Sequence, residues 1–232
     1  MGTLYVVATP IGNLKDISLR ALEILKHVDL IAAEDTRKTI KLLNHYQIIT
    51  PQVSYHQHSR PEKIDLIIEK LIEGKNVALV TEAGTPGIAD PGQVLIEKAQ
   101  KAGILLVPIP GPQAAVAALS VSGFSTDKFL FAGFLPKKKG RQKLLNNLAR
   151  DCKIAKVIVF YESPYRIIKT LNDLAEYFGD AEIMVGRELT KKFETIYRGK
   201  ISQIIPQIKP KGEFVIVIQK SKLKDPKAKS KD

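Results

Sequence analysis

The residues best suited to chemistry lie in Val77–Gly92, VALVTEAGTPGIADPG. Val77 to Val80 read as a buried strand. It opens into a loop with three glycines and two prolines that also carries Glu82, Thr85 and Asp90. Loops at the ends of buried strands are where α/β proteins hold ligands. Glycine lets main chain approach a ligand closely, and proline holds the loop in one shape. The expected chemistry is capture of a small molecule. Thr9–Asn13 (TPIGN), Pro108–Pro112 (PIPGP) and Tyr161–Pro164 (YESP) have the same build, each a Gly/Pro segment at a strand end. Converging on one cleft, they would line it with backbone and small side chains. Such a wall suits a flat adenine and a cation better than a chain of phosphates.

Several other chemistries find no support. TPIGN stands where a dinucleotide binder shows G-x-G-x-x-G, and no G-x-x-x-x-G-K-[ST] occurs. There is no H-E-x-x-H and no G-x-S-x-G. His56 and His58 in YHQHSR lack a third metal ligand and read as a surface turn or an RNA-facing loop, so no metal is expected. The single Cys152 rules out a disulfide framework and a Cys-rich zinc site, and it suits a reducing cytoplasm.

The elements that must position these loops alternate. Strands are expected at Leu4–Ala8, Asp29–Ala33, Val77–Val80 and Ile104–Val107. Helices are expected at Ser18–His27, Thr36–Tyr46, Glu62–Ile72 and Val94–Lys101. That is the rhythm of βαβ units with a mostly parallel sheet. Past PIPGP the pattern changes. An alanine-rich helix (Gln113–Val121) leads to strands at Phe129–Phe134 and Val157–Tyr161 and helices at Lys143–Arg150 and Arg166–Tyr177. Three strands then follow, Glu182–Val185, Phe193–Tyr197 and Glu213–Gln219, with a short Ile201–Ile208 helix among them. This reads as a mixed, partly antiparallel sheet. The expected domains are 1–111, 112–220 and a flexible tail over 221–232.

The net charge of +12 on 232 residues is concentrated. Lys137–Lys143 (KKKGRQK) holds five basic residues and no acid, and Lys220–Asp232 holds six lysines against two aspartates. Clustered positive charge points to a phosphate-rich partner, because neutralised phosphates release counterions. No apolar run approaches the roughly 18 residues that span a bilayer. The N-terminus lacks the basic start of a signal peptide, and Val6 stands where a myristoylation motif needs Ser or Thr. A cytoplasmic protein without a membrane or DNA partner is expected.

Six segments resemble one family. They are LYVVATPIGNLKDISLRALEILKHVDLIAAEDTR (Leu4–Arg37), VALVTEAGTPGIADPG, VPIPGPQAAVAALSVSG (Val107–Gly123), GFLPKKKG (Gly133–Gly140), FYESPYR (Phe160–Arg166) and GRELTKKFETIYRG (Gly186–Gly199). The family is ribosomal RNA small subunit methyltransferase I, within the tetrapyrrole methylase superfamily, and the likeness runs from about residue 3 to about Ile218. The resemblance implies two α/β domains of the tetrapyrrole methylase type (class III methyltransferases), with the cofactor in the cleft between them, and a homodimer. It implies S-adenosylmethionine-dependent 2′-O-methylation of a cytidine ribose in the decoding region of 16S rRNA, with the small ribosomal subunit as partner. A relative that methylates a small tetrapyrrole, or an RNA-binding protein that keeps only the fold, are the alternatives.

By position, the resemblance puts Pro10, Glu82, Gly84, Thr85, Ile88 and Ala89 against the cofactor, with Ala114, Ala115, Tyr161, Gly212 and Glu213 completing the wall. The family usually shows Asp where Glu82 stands, so a contact made through that carboxylate moves or is lost. Many relatives also continue into a small C-terminal domain, for which the Lys-rich tail would be an electrostatic substitute. Methyl transfer from a sulfonium needs alignment with the ribose oxygen and help with loss of its proton. Acid and base candidates cluster in EDTR (Glu34, Asp35, Arg37) and GRELTK. Glu188 or Asp35 would orient the hydroxyl or accept from it, and Arg187 would grip phosphate. Asp35 also precedes Thr36, where a helix cap is expected. Lys137, Lys138, Lys139, Arg141, Lys143, Arg166 and Lys191 are the candidate RNA contacts.

Overall fold

Short apolar runs alternating with amphipathic segments build a parallel sheet covered on both faces in the first part of the chain. The structure, a computed structural model, describes residues 1–56, 59–150 and 155–220. His58, Cys152 and the tail over 221–232 lie outside the described residues. The chain divides into two units, Met1–Gln113 and a second that begins at Ala114.

The first unit runs β1 (Thr3–Val7), α1 (Leu19–His27), β2 (Leu30–Ala33), α2 (Thr36–His45), β3 (Gln52–Ser54), α3 (Pro61–Ile72), β4 (Val77–Val80), α4 (Gln93–Lys101) and β5 (Leu105–Ile109). The sheet order is β3-β2-β4-β1-β5, and every pair is parallel. All four β4 residues are buried, as a strand covered on both faces requires. Period-two alternation sorts the core into two layers. Val7, Ala21, Leu25, Ile31, Leu43 and Val80 pack on one face, and Leu4, Ala32, Ile67, Leu71, Leu79 and Leu95 on the other. The helices start where capping chemistry allows: the Ser18 side chain accepts from the Ala21 N–H, and Pro61 opens α3. Two details differ from the sequence expectation. β3 is a three-residue edge strand too short to leave a period. PIPGP does not break β5, which runs on through Pro108 to Ile109. Proline is tolerated there because β5 is an edge and has only β1 beside it.

The second unit runs α5 (Ala114–Ser120), β6 (Phe129–Phe134), α6 (Arg141–Arg150), β7 (Val157–Glu162), α7 (Ile167–Phe178), β8 (Glu182–Arg187), β9 (Thr195–Lys200), α8 (Ile201–Ile204) and β10 (Phe214–Gln219). Its sheet order is β6-β7-β10-β8-β9, with β6 parallel to β7 and the other pairs antiparallel. Ile158, Phe160, Leu171, Ile183, Ile201 and Ile216 share one buried cluster. Because β10 runs against both β7 and β8, the C-terminal ends of β6, β7 and β8 emerge at one edge of this sheet. The starts of β9 and β10 lie at the same edge: Phe214 is level with Glu162 and Arg187, and Arg187 with Thr195.

Candidate functional site

In the first unit the parallel strands deliver their following loops to one edge, and main-chain bonds lock those loops together. The Thr9 N–H donates to the Gly84 carbonyl (2.9 Å) and the Gly84 N–H to the Thr9 carbonyl (3.0 Å). The Thr9 hydroxyl donates to the Thr81 carbonyl and the Thr85 hydroxyl to the Pro112 carbonyl. At Gly111 a Cβ would lie 2.9 Å from the Ala8 Cβ, so PIPGP can approach β1 only with glycine there. Gly84 has φ 85° and Ala89, without glycine's freedom, φ 63°. A strained non-glycine residue of this kind marks a loop whose shape is held by its surroundings. Pro10 is buried, while Ile88 and Ala89 stand exposed at the loop's crest. On one flank the loop and α4 border a groove of about 380 Å³ lined by Pro86, Gly87, Ile88, Gln93, Ile96, Glu97 and Gln100.

The acids beside this loop have divided roles. Glu34, just past β2, accepts from the Glu82 N–H through Oε2 (3.2 Å) and so latches the loop's first residue. Burial pushes its carboxyl up, against the pull of that hydrogen bond. The Glu82 side chain turns to an ion pair with Lys38 on α2. The Glu82 carboxylate thus reaches a helix of its own unit. Asp35 accepts from the Arg37 N–H as the cap of α2 and pairs with the Arg37 guanidinium at 2.8 Å. Those hydrogen bonds hold its pKa at about 2. The expected proton acceptor is here a cap and ion-pair partner, and so acidic a carboxyl is a weak base.

The second unit gathers the other expected residues along its sheet edge. The Ala115 N–H donates to the Tyr161 hydroxyl (3.2 Å), which joins the head of α5 to β7. After β8 the chain turns through two non-glycine residues with positive φ, Glu188 (52°) and Thr190 (65°). The Glu188 N–H donates to the Glu213 carbonyl, and the Glu213 N–H returns a bond to Glu188 Oε1 (2.9 Å). Lys191 Nζ bridges Glu188 (3.0 Å) and Glu213 (2.7 Å). A Cβ on Gly212 would fall 2.5 Å from the Glu188 carboxyl carbon, so that glycine makes room for the carboxylate. Burial pushes the Glu188 carboxyl up, but the Glu213 N–H and the Lys191 ammonium outweigh it and hold the group below its ordinary value. Arg187 donates to the Lys211 and Phe193 carbonyls and so braces the same turn.

Thr190 Oγ1 is buried and meets no hydrogen-bond partner among the described residues. An unpaired hydroxyl costs about 1 kcal/mol or more. Thr190→Val, which keeps the shape and the β-branch, is therefore expected to raise Tm by about 2–4 °C in a thermal melt. A fall in Tm would show that the hydroxyl has a partner.

The basic candidates separate into two kinds. Lys137, Lys138, Lys139 and Lys143 are exposed. Arg141, expected among the RNA contacts, is only 5% exposed. It donates to Asp173 (2.7 Å), the Thr170 hydroxyl (2.8 Å) and the Pro136 carbonyl, and this inward set of partners makes it a structural residue. Arg166 likewise donates to buried Glu162 and to the Leu135 carbonyl. Glu162 also accepts from Thr170, so both arginines join one network that grips the main chain just before the lysine run. Sequence reasoning missed this network because its two halves, Leu135–Arg141 and Glu162–Asp173, are joined by bonds between residues 29 to 32 positions apart. Among the described residues no group of His, Cys, Asp and Glu could hold a metal ion, and no helix is long and apolar enough to cross a membrane.

Comparison with known proteins decides the family. Residues 3–205 match the Tetrapyrrole (Corrin/Porphyrin) Methylases. The chain belongs to the tetrapyrrole methylase family. Within that family it is 51% identical to ribosomal RNA small subunit methyltransferase I of Synechocystis, over 94% of this chain and 79% of the relative. It is 47% identical to the protein of that name from Thermotoga maritima, over 94% of this chain and 98% of the relative. Among solved structures it resembles a diphthine synthase with TM-score 0.73 at 15% identity, covering 94% of this chain and 90% of that one. It also resembles a Thermus thermophilus uroporphyrin-III C-methyltransferase complexed with S-adenyl homocysteine, with TM-score 0.66 at 14% identity over 94% and 97% of the two chains. The tetrapyrrole methylase architecture of two α/β sheets with helices is the one observed here.

Proposed function

We propose that this protein transfers a methyl group from S-adenosylmethionine to the 2′ oxygen of a cytidine ribose in the decoding region of 16S rRNA. On this reading it works on the small ribosomal subunit, in the cytoplasm and as a homodimer. The observation that carries it is identity of 43–51% across nearly the whole chain to proteins named ribosomal RNA small subunit methyltransferase I.

The residues present suit the cofactor. The Thr9–Gly84 bridge and the Thr85–Pro112 bond form a rigid backbone wall with small apolar side chains, and Arg or Lys does not occur in Thr81–Gly92. Of the acids beside it, Glu82 is already paired with Lys38, which leaves Glu34 to favour a cationic ligand. When bound, the cofactor supplies a methyl group already activated by its sulfonium. Pro10, Gly84, Thr85, Ile88 and Ala89 would hold it, with Ala114, Ala115, Tyr161, Gly212 and Glu213 as further contacts. Glu188, kept ionised by Lys191 and the Glu213 N–H, would accept a hydrogen bond from the ribose hydroxyl and fix its orientation. A carboxylate of lowered pKa serves better to orient than to remove the proton early, so proton loss would accompany transfer.

The test incubates the protein with labelled S-adenosylmethionine and small subunits from a strain that lacks the modification. Label in an alkali-resistant dinucleotide is the expected result, and no label in RNA overturns the reading. In the same assay Glu188→Gln should lose about 100-fold in methyl transfer with cofactor binding intact. Near-normal turnover would remove Glu188 from the mechanism.

A further inference from the structure

The GFLPKKKG, YESPYR and GRELTKKFE segments each leave one aromatic side chain in solvent. Phe134 is 54% exposed, Tyr165 97% and Phe193 65%. Rings of this size are normally buried, and three exposed in separate segments need a reason. Topology puts them at one place. Phe134 ends β6, Tyr165 follows β7, and Phe193 sits between β8 and β9, all at the same edge of one sheet. Neighbouring strands lie about 4.8 Å apart, so the three spacings from β6 to β8 spread the row over roughly 14 Å. Exposed cations accompany each end. Lys137 to Lys139 follow Phe134, and Lys192 Nζ lies 5.7 Å from the centre of the Phe193 ring. Phe134 is also braced edge-to-face against Tyr161, which orients its ring.

We infer that Phe134, Tyr165 and Phe193 form a stacking row for the bases of single-stranded RNA, with Lys137 to Lys139 and Lys192 taking the phosphates. This rests on the RNA reading above and says how that substrate is gripped. Single strands are recognised by splayed bases stacked on aromatic rings within a basic track, which is the combination found here. A duplex would use the lysines without the rings. An interface between protein copies would bury the rings but would put like-charged lysines together. The two arginines withdrawn into the Glu162 network fit the same picture: they hold the Leu135–Pro136 main chain from which Phe134 and the lysines project.

The test uses the full chain and a short single-stranded oligoribonucleotide of mixed sequence carrying 2-aminopurine, followed by anisotropy and by quenching. Phe134→Ala, Tyr165→Ala and Phe193→Ala should each weaken binding on the order of 5- to 150-fold, the worth of one stacked base. Each should reduce quenching and leave the slope of affinity against salt unchanged. Phe193→Trp should bind like the native chain. Changing Lys137 to Lys139 to glutamine should do the opposite, lowering the salt slope by about 2 while quenching in the complex persists. Native-like affinity and quenching in the alanine variants, or no binding by the native chain, would overturn the inference. So would a shift in their mass by light scattering, which would make the row an interface between copies. The measurement follows RNA binding alone. A native chain that binds by stacking yet methylates no small subunit would thus sink the proposed reaction and leave the row standing.

Discussion

Glu162→Ala is expected to lower the stability of the second unit by about 3–5 kcal/mol, the usual cost of removing one partner from a buried ion pair. The Glu162 side chain is fully buried. Oε1 accepts from Arg166 and the Ser163 N–H at 2.7 and 2.8 Å, and Oε2 accepts from the Thr170 hydroxyl at 2.6 Å. Alanine would strand the Arg166 guanidinium and loosen Thr170, which also receives Arg141. Whole domains are held by only about 5–15 kcal/mol, so urea midpoints should fall far below the native value. Because the two arginines fix the Leu135 and Pro136 carbonyls, RNA affinity should drop even where the protein is still folded. A native urea midpoint would mean that the network carries no weight.

The second large effect is expected from Gly212→Ala. The added Cβ would land 2.5–2.6 Å from the Glu188 carboxyl group, at a backbone φ of 89°. The left-handed backbone alone costs an alanine about 1–2 kcal/mol. The carboxylate can escape only by leaving the Glu213 N–H, and Lys191 then loses one of its two partners. Displacing an orienting group by about 1 Å can cost on the order of 100-fold in rate. Methyl transfer should therefore fall 10- to 100-fold, while cofactor affinity, measured by calorimetry, should fall less. Gly212→Ala with full activity would show that Glu188 does not have to stay where Gly212 admits it.

The parts written in local pattern were legible. β4 and β6 begin and end where the apolar runs do, the small-residue loops fall at strand ends, and Asp35 occupies its cap position, while Ser18, read as the first residue of its helix, is the cap before it. What was hidden depends on partners distant in sequence. Arg141 reads as one more cation in a basic run, and only Asp173, Thr170 and Pro136 show that it is buried. The exposure of Phe134, Tyr165 and Phe193 is likewise a property of where strands lie in the sheet. Nothing in GRELTK announces that Glu188 and Thr190 adopt positive φ. Asp35 shows the converse: local pattern gave its cap, and only its bond to Arg37 shows how acidic the group is.

The position of β10 governs how the two units come into being. In the first unit every strand of the sheet precedes residue 110, and the last to be made, β5, adds at an edge. In the second unit the last strand among the described residues is central: β10 separates β7 from β8 and follows both in the chain. During synthesis the first sheet can close while the second is still two fragments, β6 with β7 and β8 with β9, flanking an unfilled gap. That long-range insertion is the slow kind of closure. Until Phe214–Gln219 leave the ribosome, β7 and β8 present unpaired inner edges and the Glu188–Glu213 bonds cannot form. The enzyme's second unit is thus its most aggregation-exposed part while nascent, and the turn around Glu188 is among the last features to be born.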